Sequence, residues 1–92
     1  MTVAPTQHAM QRWHERFAGR DLRAELAVAK PPTKSRLRHL LANLPRRYEN
    51  WRASGGQFLI SAAASPPAVF VVAPKGLVIT VYPLCKTEFK LY

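Results

Sequence analysis

The sequence predicts an α+β fold: two or three N-terminal helices packed on one face of an antiparallel sheet of four or five strands. Three observations carry that expectation. Apolar residues recur at helical spacing through the first half of the chain, as in Ala9, Met10, Trp13 and Phe17. The last third consists of short runs rich in β-branched and aromatic residues, separated by proline and glycine turns. Finally, 92 residues leave room for one core and no second domain. The expected organisation is a single domain over 1–92, with a flexible start at 1–5, a helical half at 6–44 and the sheet at 46–92.

In order, residues 6–17 read as a first helix, with Thr6 able to cap its start and Gly19 to stop its end. Its other side carries a polar stripe of His8, Arg12 and Glu15. Asp21 caps a second helix to Ala29, and the Pro31-Pro32 pair ends it. Thr33 opens a third, to about residue 43, that turns Leu37, Leu40, Leu41 and Leu44 inward before Pro45. Imperfect alternation makes 47–53 a strand, and Gly55-Gly56 turns the chain into a further strand at 57–63.

The centre of the sheet is the hairpin of 68–72 and 77–82 around Pro74-Lys75-Gly76, and a short last strand occupies 87–91. Nearly every position of the hairpin is apolar, so its strands are expected to be covered on both faces or nearly so. The expected core comprises Trp13, Phe17, Leu26, Leu40, Phe70, Val72 and Ile79.

Charge narrows the function. Fourteen Lys and Arg against five Asp and Glu give +9 and an isoelectric point near 10.7. Such an excess attracts polyanions, or serves only as a solvated face. It is concentrated between 30 and 52, where seven Lys and Arg meet Glu49 alone. Lys34, Arg36, Arg38, Arg46 and Arg47 are the candidate nucleic-acid-binding residues. The partner expected is nucleic acid, RNA favoured, or a host protein that handles nucleic acid.

No apolar run of 18 residues suggests a membrane span, and the N-terminus lacks the basic start and apolar core of a signal peptide. The single cysteine, Cys85, permits no internal disulfide, and the expected location is cytoplasmic. Three scattered histidines and one cysteine give no metal-ligand spacing, and there is no phosphate loop or nucleophile elbow. Neither a metal nor a cofactor is therefore expected. What remains is imidazole, guanidinium and hydroxyl, the groups that a metal-independent ribonuclease uses as acid or base, phosphate cation and phosphate positioner. His8, Arg12, Thr80 and Tyr82 are of these types, although a His and an Arg four apart also describe an ordinary solvated stripe.

The opening Gln7-His8-Ala9 with Arg12 and Glu15-Arg16, and the ending Val69-Phe70-Val71-Val72 with Val78-Ile79-Thr80-Val81-Tyr82-Pro83, resemble small toxin-like domains of the barnase, EndoU, colicin and RelE fold group. They are also similar to short uncharacterised proteins of tailed phages. The resemblance covers roughly residues 7–18 and 68–83. It implies helices preceding an antiparallel sheet and action on RNA as an endoribonuclease, with His8, Arg12 and Thr80 as catalytic residues. In that fold group a basic residue on a central strand often faces the phosphate, and here 57–63 and 68–73 carry none. The alternative is a phage accessory protein that binds a host nucleic-acid-handling protein and inhibits or redirects it without chemistry.

Overall fold

The computed structural model describes residues 3–42, 48–64 and 66–84. They form β1 (Ala4–Pro5), α1 (Gln7–Arg16), α2 (Leu22–Val28), α3 (Lys34–Ala42), α4 (Glu49–Ala53), β2 (Gln57–Ser61), β3 (Ala68–Val72) and β4 (Leu77–Pro83). The fold is α+β, and the helices precede the three longer strands. The sheet runs in the order β1-β4-β3-β2. It is mixed and not purely antiparallel: β2, β3 and β4 pair antiparallel, whereas β1 lies parallel to β4 at Ala4↔Leu77 and Pro5↔Val78. The expected flexible start thus contributes an edge strand.

β3 is buried at all five positions, so its two faces need separate covers. Ala68, Phe70 and Val72 face Ala9, Trp13 and Phe17, joined by Leu22 and Leu26 of α2. Val69 and Val71 face Leu40 of α3 together with Phe58 and Ile60 of β2, with Leu37, Leu41 and Trp51 packed against them. The helices therefore divide between the two faces and do not share one, because strand side chains alternate and both sets are apolar. Leu26 and Ile79 line the core as partly buried residues, on opposite faces.

The expected strand at 47–53 is instead a short helix, α4, and its beginning lies outside the described residues. Its sequence, Glu-Asn-Trp-Arg-Ala, has no β-branched residue, and one inward side chain suffices. The Trp51 indole packs on Phe58 with ring centroids 5.1 Å apart and donates to the Val72 carbonyl at 2.8 Å. A Cβ on Gly56 would sit 2.2 Å from that indole, so the chain approaches Trp51 as closely as only glycine permits. The expected strand at 87–91 and the inward Leu44 also lie outside the described residues.

Local signals explain the remaining boundaries. Thr6 accepts from the Ala9 amide at 3.1 Å and donates to the Val78 carbonyl at 3.0 Å, so one hydroxyl caps α1 and fixes it to β4. Asp21 accepts from the Ala24 amide at 3.1 Å and starts α2. The β3–β4 turn closes through the Gly76 amide on the Ala73 carbonyl at 2.9 Å, with Gly76 at φ 89°, where side chains are disfavoured.

A buried ion pair joins these parts. Arg20 directs Nε and Nη2 at the two carboxylate oxygens of Glu25, the first at 2.7 Å, and only 16% and 8% of the two side chains are exposed. Its guanidinium also lies 4.8 Å from the Phe17 ring centre and donates to the Pro66 carbonyl at 2.7 Å. Ser61 donates to Glu25 at 3.1 Å. The network thus connects the loop after α1, the α2 helix, the end of β2 and the β2–β3 loop.

Replacing Phe70 by Ala removes the ring stacked 5.7 Å from Trp13 and is expected to cost about 3–5 kcal/mol, a large part of a small domain's stability. Urea unfolding checks this, and an unchanged midpoint would contradict the place of β3 at the centre. The Arg20 guanidinium holds the Glu25 carboxyl below the usual carboxylate range against the opposing effect of burial, with Ser61 adding to it. A depressed carboxylate contributes stability that is present above its unfolded-state value, about 4.3, and is lost as pH falls through the folded value. Glu25→Ala is therefore expected to cost about 3–5 kcal/mol near neutrality, because it strands a buried guanidinium. In urea unfolding, the gap between wild type and variant should narrow as pH falls below the unfolded-state value and through the lower folded one.

Candidate functional site

The basic stretch takes its shape from the route between the two covered faces. After α2 the chain must pass the outer edge of β2. Lys30 makes that passage by pairing with Ile60, its amide donating to the Ile60 carbonyl at 2.9 Å and its carbonyl accepting from the Ile60 amide at 2.7 Å. Pro31 and Pro32 then forbid a continuing helix. Thr33 restarts one, its hydroxyl accepting from the Arg36 amide at 3.3 Å.

The detour leaves a groove of about 520 Å³ beside the β2 edge. Lys30 and Arg36 line it together with Val28, Pro31, Pro32 and Ile60, and among the described residues no carboxylate does. Two cations therefore stand beside a mostly apolar wall.

The helical repeat distributes the other predicted cations. Leu37, Leu40 and Leu41 define the inward side of α3. At roughly 100° per residue, Lys34 and Arg38 stack one turn apart on one flank, while Arg36 falls on the opposite flank, over the groove. All three side chains are exposed, and none has an ion pair among the described residues. Arg46 and Arg47 lie outside the described residues. Lys30 was counted in the sequence as part of the charge alone. Only its pairing with Ile60 makes it part of a groove, and the one sequence signal for such a place was the Pro-Pro break.

The three candidate catalytic residues are placed differently. His8 is exposed on α1, and Arg12, one turn away on the same flank, donates to Glu15 at 2.9 Å. The Arg12 guanidinium holds the Glu15 carboxyl below its usual range. Thr80 is 2% exposed, and its Oγ1 is buried without a hydrogen-bond partner among the described residues. It stands opposite Val71, on the face that packs against α3, because a bulge between Val71 and Val72 sets both Ile79 and Thr80 on that side. Helix α1 covers the other face. The structure thus keeps His8 and Arg12 together and leaves Thr80 behind the sheet. Tyr82 is buried beside it, and burial, with Tyr48 second, pushes its phenol well above the ordinary range.

Among the described residues no three His, Cys, Asp or Glu come together as metal ligands, and no helix is long and apolar enough to cross a membrane. No protein-family model, curated protein or solved structure matches the chain.

Proposed function

We propose that this chain is a small nucleic-acid-binding domain, RNA favoured, that meets the phosphate backbone with Lys30, Lys34, Arg36 and Arg38 and, from outside the described residues, with Arg46 and Arg47. One observation carries this reading: three of the five acids are engaged by partners within the chain, whereas the cations of α3 have no ion pair among the described residues. Glu25 is buried against Arg20, Glu15 is held by Arg12, and Asp21 caps α2. Lys34, Arg36 and Arg38 stand exposed with no ion pair among the described residues. Such a surface gains affinity by releasing the counterions condensed on a polyanion.

Binding without cleavage accounts for the geometry better than hydrolysis. A ribonuclease needs its acid or base, its phosphate cation and its positioning group within reach of one phosphate. His8 and Arg12 meet the first two needs from one flank of α1, whereas the hydroxyl of Thr80 is buried on the far side of the sheet.

Affinity for a labelled RNA should fall linearly with salt on logarithmic axes. Lys34→Ala or Arg38→Ala should each reduce the slope by about one without affecting the melting temperature. A flat salt dependence, read by fluorescence anisotropy, would move the partner to a nucleic-acid-handling protein. Mixed cellular RNA incubated with wild type or His8→Ala in EDTA should remain intact with both. Cleavage that survives the chelator and disappears in His8→Ala would instead establish His8 as general acid or base, an effect of about 10²–10⁴ in rate.

A further inference from the structure

We infer that the groove beside β2 holds one unstacked nucleotide of a single strand, its phosphate between Lys30 and Arg36 and its base on the wall of Val28, Pro32 and Ile60. The inference rests on the nucleic-acid reading above and adds a preference for single strands, which charge alone does not give. A phosphate-facing surface needs cations and gains nothing from an apolar wall. A groove of about 520 Å³ is within the range that takes one small-molecule-sized unit, and this one combines both chemistries.

Several features fit that occupant. Lys30 is fixed at its backbone by the two hydrogen bonds to Ile60, so its ammonium is tethered to the rim. Arg36 rises from the first turns of α3 on the flank that faces the same space. Guanidinium suits a phosphate through paired N–H donors, and an ammonium suits it as a point charge. The proline rings and the exposed Val28 side chain offer the faces on which an unstacked base loses water. In a duplex the bases stay stacked on one another and cannot reach that wall. The groove is open to solvent, which lets a strand enter and would leave an aliphatic tail wet.

The test is fluorescence anisotropy on the full chain with four probes: a labelled single strand about 12 nucleotides long, its duplex, the same strand with abasic positions, and AMP as competitor. The single strand should bind about tenfold more tightly than either the duplex or the abasic strand. Val28→Glu, which places a carboxylate on an exposed wall position, should remove that difference. Lys34→Ala, on the other flank of α3, should weaken all strands alike and preserve it. Equal affinity of wild type for intact and abasic strands would overturn the groove and leave the phosphate-binding reading standing. AMP displacing the strand at concentrations equal to the strand's own would make the occupant a free nucleotide and overturn the strand proposal. Failure of every nucleic acid to bind would overturn both readings. Wild type alone decides the first two outcomes, so the result does not depend on how any variant folds.

Discussion

The rest of the structure depends on one constraint, the burial of β3 on both sides. All five of its residues are apolar and inaccessible, so the chain must supply two covers of similar size. It does so with four helices that would each be too short to persist alone. The route from one cover to the other has to pass an edge of the sheet, and it passes β2. That passage brings Lys30 to Ile60 and leaves the groove beside Arg36. The candidate site is therefore a consequence of how the core is closed.

The same economy governs the sheet edges, which would otherwise invite pairing with another chain. β1 is two residues long and includes Pro5. Beyond β1, the outer side of β4 is met by Arg16, which donates to the Val81 carbonyl at 2.7 Å, and Pro83 offers no amide. On the far side, Lys30 satisfies both backbone groups of Ile60. Arginine here serves as a backbone cap as well as a surface charge, as Arg52 shows by donating to the Gly56 carbonyl at 2.8 Å.

Much of this was legible from local chemistry. The α1 helix, the caps at Thr6 and Asp21, the Pro31-Pro32 stop and the 68–82 hairpin follow from periodicity and turn residues, which act within a few positions of one another. What the sequence did not show depends on distant partners. A two-residue parallel strand has no period to detect. The stretch at 49–53 became helical because Trp51 needed only one inward position, against Phe58 and Val72. Likewise, apolar residues on both sides of a strand say that two covers exist, but not that α3 and α4 form the second.

Thr80 shows how one residue changes a functional argument. Strict alternation along β4 places it with Val78 on the α1 face, which is where a phosphate positioner for His8 and Arg12 would have to be. The bulge inserts Ile79 and turns Thr80 to the opposite face, while Val81 returns to the α1 side beside Phe70. A bulge has no dependable single-sequence signal, and its effect on every following side chain equals a one-residue slip in register. Of the candidate catalytic and binding residues described, those that remain accessible are then His8, Arg12 with its partner Glu15, and the cations around α3. Among the described residues, only the last group both lacks an ion pair and borders a groove that can hold more than a phosphate, which points to the α2–α3 crossing.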